Sequence, residues 1–203
     1  GAHAGGMMVL HRKSGYIEYY NRHNSNLPSN NIYSIISDGY GGLWVASLEY
    51  LLHFDIDKRN FTIVDVDEDG HKLQQYNRLL FCDSKKRIWA GGEMGISVFN
   101  QVGTSLLPNT DFQIASVLKQ AFVNCFYETS SGYLWIGTRN GLFALKESDK
   151  QFLQYTTENG LPSNVIYGIL EDAYGRLWIS TNQGLSCLNP ESGKVRNFTI
   201  MDG

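Results

Sequence analysis

The sequence predicts an all-β protein, a partial β-propeller assembled from four-stranded antiparallel blades of about 45 residues. Three observations predict it. The four tryptophans, Trp44, Trp89, Trp135 and Trp178, lie 45, 46 and 43 residues apart. Each occupies the same place in one repeated phrase, Asp172-Ala173-Tyr174-Gly175-Arg176-Leu177-Trp178-Ile179-Ser180-Thr181 and its counterparts over 38–47, 83–92 and 129–138. Within each copy, short β-branched and aromatic runs alternate with turns that carry Gly and Asp. A β-sandwich could use the same strands, but nothing in a sandwich calls for one phrase four times.

The first residues already fit the repeat. Gly1-Ala2-His3-Ala4-Gly5-Gly6 aligns with 137–142, the stretch that follows a Trp strand. Met7–Leu10 and Tyr16–Tyr20 then read as third and fourth strands, so residues 1–20 are expected to form half a blade cut from a longer array. Full blades are expected over 21–66, 67–107, 108–156 and 157–203. Open strand edges in such a piece are expected to recruit partners.

Each copy starts on a run such as Asn31–Ser37. An Asp with Gly three residues later follows (Asp38 and Gly41, Asp172 and Gly175), which suits a type I turn. The Asp side chain can accept from the backbone two residues on, and Gly accepts the left-handed conformation that closes the hairpin. Copy two has Lys86 in the Gly position, and copy three has Thr129 in the Asp position. The second strand carries the Trp between aliphatic neighbours and ends on small residues (Ala46, Gly91, Gly137, Ser180), which allow close backbone approach. Gly95, Gly141 and Gly184 mark the next turn, where copy one has Tyr50. A short apolar third strand follows, as in Leu142–Leu145. The fourth strand alternates, as in Val195–Ile200, and reads as an edge.

The crossovers between blades carry Leu27-Pro28-Ser29-Asn30 and the identical Leu161-Pro162-Ser163-Asn164. Pro holds the entry extended, and Ser and Asn can bond local backbone. Copy two is expected to end near Asn100. Residues 101–121 are the least repeat-like stretch, with Leu106-Leu107-Pro108-Asn109 only hinting at the crossover motif and 114–121 reading as a helical turn or an irregular loop.

Composition narrows the function. At 42% hydrophobic and 18% charged residues, the chain can bury a core. It has no apolar run of the ~20 residues that a spanning helix needs. A net charge of −3 gives no reason to expect nucleic acid. Three cysteines without a repeating position read as small buried thiols rather than a disulfide framework. Asp65, Asp67 and Asp69 stand in an Asp-x-Asp-x-Asp-Gly stretch like the start of a calcium loop, but the twelfth position is Tyr76 and the flanks read as strands. An acidic, solvated connection is the preferred reading. No cofactor, metal or catalytic motif is expected.

The phrase from Leu161-Pro162-Ser163-Asn164 through Asp172, Trp178 and Gly184-Leu185 to Leu188-Asn189-Pro190 resembles the two-component regulator propeller repeat. The resemblance spans the whole chain. It implies part of the periplasmic sensor region of a Bacteroides-type hybrid histidine kinase, an inner-membrane protein with phosphorelay modules beyond these residues. It further implies glycan sensing, control of polysaccharide-utilisation genes, and as partners the remaining blades, a second protomer and an oligosaccharide. No ligand motif of the family maps onto this sequence. The candidate binding residues are the polar pairs just past a Trp strand, Arg139 with Asn140 and Asn182 with Gln183, whose plainer role is to fill hairpin turns. Two rival functions stand beside sensing: a scaffold or dimerisation surface with the ligand site elsewhere, and a polysaccharide lyase or glycosidase.

Overall fold

A computed structural model of the chain describes residues 5–47, 49–64, 77–109, 116–146 and 151–202. It divides into two compact units, residues 1–113 and 114–203. In the first unit, β1 (Met7–Leu10) and β2 (Ile17–Tyr20) form a two-stranded sheet. One four-stranded antiparallel sheet follows, made of β3 (Ile32–Ser37), β4 (Gly42–Ser47), β5 (Leu51–Asp55) and β6 (Asn60–Ile63). A second is made of β7 (Asn77–Cys82), β8 (Arg87–Gly92), β9 (Gly95–Val102) and β10 (Ser105–Pro108).

The second unit opens on a 3-10 helix, Ser116–Gln120. It then builds β11 (Val123–Glu128), β12 (Tyr133–Thr138), β13 (Gly141–Lys146) and β14 (Gln151–Tyr155) into one sheet, and β15 (Ile166–Glu171), β16 (Leu177–Thr181), β17 (Gly184–Leu188) and β18 (Val195–Phe198) into another. All four full sheets run in simple sequence order, each strand antiparallel to the last. The first strand of every one is bulged at the same place, between Ile32 and Ser34, Asn77 and Leu79, Val123 and Cys125, and Ile166 and Gly168. The repeat written in the sequence is therefore a repeat of four-stranded blades.

Within each unit the blades stack face to face. The face carrying the Trp of one blade meets an aliphatic face of the next. Trp44, Ala46 and Leu51 pack with Leu80, Ile88, Ala90, Phe99 and Leu106. Trp135, Leu142 and Ala144 pack with Ile166, Ile169, Leu177, Ile179 and Leu188. Met7 and Tyr20 of the two-stranded sheet take the same part against Ile32, Val45, Leu52, Phe54 and Phe61. Burying one such side chain stabilises by roughly 1.5–3 kcal/mol, so these clusters hold each unit together.

Several expectations need correction. Copy two does not end near Asn100: β9 runs to Val102, turns at Gly103 (φ 60°), and β10 falls inside the stretch read as a connection. Leu106-Leu107-Pro108-Asn109 is consequently outer strand rather than crossover, with Leu106 in the core. The last strand stops at Phe198, and Ile200 starts a 3-10 helix. The cysteines are free but only half-buried. Asp65, Asp67 and Asp69 lie outside the described residues. Among the described residues, no group of three or more His, Cys, Asp or Glu is placed to hold a metal, and no helix is long and apolar enough to cross a membrane.

Candidate ligand-binding surface

The strongest polar geometry in the repeat is built around the turn Asp. Asp83 Oδ1 accepts from the amides of Lys85 (3.0 Å) and Arg87 (2.9 Å). Its Oδ2 accepts from Trp89 Nε1 (2.8 Å) and Arg87 Nε (2.6 Å). Asp172 repeats this with Tyr174, Arg176 and Trp178, at 2.7–3.0 Å. The expected Asp turn is present, and it also seats the indole of the following strand. Burial raises the Asp172 carboxyl, but the Trp178 indole, the Arg176 amide and guanidinium, and the Tyr174 amide outweigh it. The group titrates well below the usual carboxylate range.

Blades one and three depart, each for a legible reason. In blade one the Arg position is Gly42, where a Cβ would stand 2.5 Å from Asp38 Oδ2 and 2.6 Å from His53 Nε2. His53, reaching across from β5, takes the Arg's place at 2.8 Å from Asp38 Oδ2. Trp44 Nε1 turns instead to Gln101 Oε1 (3.2 Å), and Gln101 Nε2 donates to the Asp38 carbonyl (2.6 Å), tying one blade to the next. In blade three, Thr129 offers no carboxylate. Its Oγ1 still caps the Tyr133 amide (3.2 Å), but the buried Trp135 Nε1 has no hydrogen-bond partner among the described residues. Spacing gave no hint of His53 or Gln101, because their link to the Trp depends on strand register.

The crossover motif is likewise committed to structure. Ser29 and Ser163 each accept from the amide two residues on. The Asn30 side chain caps the Arg22 amide and that of Asn164 caps the Thr157 amide, both at 2.9 Å. The Asn30 carbonyl accepts from Gly6 N (2.8 Å) and the Asn164 carbonyl from Gly141 N (2.7 Å), joining each crossover to the preceding sheet. Blade three has an unrecognised version. Leu118 precedes Trp135 by the same interval that separates Leu27 from Trp44 and Leu161 from Trp178, and all three leucines are buried. That constant interval to the Trp was the signal available in the sequence.

The four sequence-predicted residues sit in two corresponding hairpin turns of the second unit, all exposed. Arg139 and Asn140 fill the two-residue turn between β12 and β13; Asn182 and Gln183 fill that between β16 and β17. The turns share one local design: Asn140 N donates to Thr138 Oγ1 (2.9 Å) and Gln183 N to Thr181 Oγ1 (3.1 Å). The Arg139 guanidinium lies 3.6 Å from the Phe122 ring centroid, a cation–π contact that holds it against the blade. Gln154 Nε2 donates to the Asn140 carbonyl (3.0 Å). The Asn182 and Gln183 side chains stand in solvent.

The sequence model of the two-component regulator propeller family matches residues 26–49, 118–140 and 160–183. Each match runs from a crossover Leu through the Trp strand into the following turn. Three segments of the chain, together about a third of its length, thus match that repeat. Solved structures share the fold of these regulator repeats. The extracellular domain of the putative one component system BT4673 from B. thetaiotaomicron superposes with a TM-score of 0.75 at 19% identity, over 98% of this chain and 29% of that one. A second structure of that domain, described as part of a putative hybrid two component system, gives 0.74 at 20% identity, over 97% and 25%. PorZ, a surface component of the type-IX secretion system of Porphyromonas gingivalis, gives 0.70 at 20% identity, over 92% and 29%. An ancestral GH74 enzyme gives 0.70 at 12% identity, over 97% and 28%. The chain thus spans less than a third of the length of these structures. No curated protein matches it in sequence.

Proposed function

We propose that the chain is part of the periplasmic, ligand-sensing propeller of a hybrid histidine kinase and response regulator, and that its ligand is an oligosaccharide whose arrival switches polysaccharide-utilisation genes. The observation that carries this reading is the coincidence of the regulator-repeat match with the BT4673 extracellular fold over nearly the whole chain. In such a sensor the blades bind rather than catalyse, and their signalling partners are the remaining blades and a second protomer. The exposed turn residues Arg139, Asn140, Asn182 and Gln183 are the contacts proposed from sequence. Calorimetry with a panel of oligosaccharides tests the reading, with Arg139→Ala and Asn182→Ala as variants. Binding by the chain that weakens in these variants supports sensing at the turns.

A scaffold role is the second reading. It is favoured by how completely the turn aspartates and crossover asparagines are engaged within the protein. Affinity of the whole sensor region that survives both substitutions favours that role. The likeness to a GH74 enzyme concerns the fold, and new reducing ends after incubation with polysaccharide would be needed to argue for catalysis.

A further inference from the structure

A cleft of about 480 Å³ runs along the outer edge of β2, the strand that pairs with β1 alone. Tyr16, Glu18, Tyr19, Asn24 and Arg59 are among its lining residues. Tyr16, at 63% exposure, shares its face of the strand with Glu18, whereas Tyr19 belongs to the opposite face with Met8, Leu10 and Ile17.

The polar side of the cleft is pre-arranged. Arg59 ends the turn from β5 into β6 at φ 54°, a left-handed conformation that residues with a Cβ seldom adopt. From that position its Nη1 reaches Glu18 Oε1 at 3.1 Å. The other oxygen, Oε2, lies 3.3 Å from His11 Nε2. Glu18 is therefore fixed from two sides, with a side chain only 17% exposed, while the Arg59 side chain stays 65% exposed and has N–H groups to spare. Asn24 is anchored by donating from Nδ2 to the Tyr19 carbonyl (2.8 Å).

We propose that this cleft binds one or two residues of a neutral oligosaccharide. A carboxylate beside a guanidinium offers an acceptor and a donor at the spacing of a vicinal diol, with charge-assisted hydrogen bonds. The exposed Tyr16 ring gives the apolar face of a pyranose ring a flat surface to lie on. The carboxylate and guanidinium cancel each other's charge, so the cleft holds no net attraction for an anionic sugar. Glu18 is the one carboxylate among its described lining residues, which leaves it without the second acid needed to hydrolyse a glycosidic bond. The site lies in the first unit, apart from the turn residues singled out by sequence, and it deepens the sensing reading on which it rests.

The test is calorimetry of the 203-residue chain with cellohexaose, xylohexaose, mannohexaose and arabinohexaose. Tyr16→Ala, Glu18→Gln and Arg59→Ala are measured beside Tyr167→Ala, an exposed tyrosine of β15 outside the cleft, with thermal melts confirming that each variant folds. The cleft assignment expects a loss of about tenfold or more in affinity from Glu18→Gln and Arg59→Ala, the factor that one charge-assisted hydrogen bond commands, a loss of about threefold from Tyr16→Ala, and unchanged affinity in Tyr167→Ala. A sugar that binds all three cleft variants as tightly as the parent overturns the site and leaves the sensing reading standing. A chain that binds none of the four hexasaccharides overturns both.

Discussion

At Asp83 one carboxylate oxygen takes two backbone amides while the other takes an indole and a guanidinium. The same two jobs fall to Asp172, whereas Thr129 takes only the Tyr133 amide and offers nothing to the indole. A buried N–H without an acceptor costs about 1–3 kcal/mol. Thr129→Asp combined with Tyr133→Arg rebuilds the arrangement of blades two and four around Trp135, and is expected to raise unfolding stability by about 1 kcal/mol in urea titration. A lower midpoint would show that the Tyr133 packing, 6.1 Å between its ring centroid and that of Trp135, matters more than the missing bond. Lys86 is the other departure. It holds φ 63° where its counterparts Gly41, Gly132 and Gly175 sit at 95°, 81° and 73°. Lys86→Gly removes the Cβ strain and is expected to raise stability by about 1 kcal/mol, read as an increase in Tm. Among the cysteines, burial pushes the Cys125 thiol up to about 12 against a hydrogen bond from the Gly137 amide. It is an unreactive packing group beside the Trp135 cluster.

At the scale of the element, the hairpin from the Trp strand into the third strand depends on one glycine. Gly141 takes φ 119° and Gly184 takes φ 113°, and a Cβ would stand 2.7 Å from the Tyr155 carbonyl oxygen in one and 2.4 Å from that of Phe198 in the other. Both the conformation and the space exclude a side chain. Gly141→Ala is therefore expected to cost about 2 kcal/mol or more, measured by chemical denaturation; a loss under 0.5 kcal/mol would mean that β13 and β14 separate easily. Blade one has a turn of the same length, with Ser47 N donating to the Tyr50 carbonyl (2.9 Å), but Tyr50 does not take the positive φ of its glycine counterparts. This explains why Tyr50 could replace the glycine without loss of the blade. Strands, turns and their order were legible because each is set by a local pattern: period-two apolar runs, an Asp–Gly pair and a Trp at fixed offset. Copy two was misread where that pattern thins. β9 keeps its third-strand ladder for eight residues, and its length is decided by pairing with β8 and β10 rather than by its own residues.

At the scale of the whole molecule, acid is the condition most directly linked to these turns. Burial raises the Asp38 carboxyl, but the His53 ring and the amides of Tyr40 and Gly42 outweigh it and leave it below the usual range. Asp172 is lowered as well. A carboxylate with a depressed folded-state pKa contributes stability that is fully present above its unfolded value, about 3.9, and is lost as pH falls through the folded value. Tm is thus expected to hold from pH 7 to about pH 5 and to fall below about pH 4, with Asp172→Asn flattening the fall. A Tm that stays level down to pH 2.5 would show that these turns carry no net electrostatic stabilisation.

The sequence by itself determined the blade: four strands, their order, the turn chemistry and the tryptophan on the second strand. These follow from residues a few positions apart, where backbone sterics and local hydrogen bonds decide the outcome. Only the tertiary structure decided which residues share a site. The Asp38–His53–Gln101 link and the cleft shared by Tyr16, Glu18 and Arg59 join residues from different strands or blades. Contacts of that kind are set by strand register and blade stacking, and neither leaves a fixed interval in the sequence to be read.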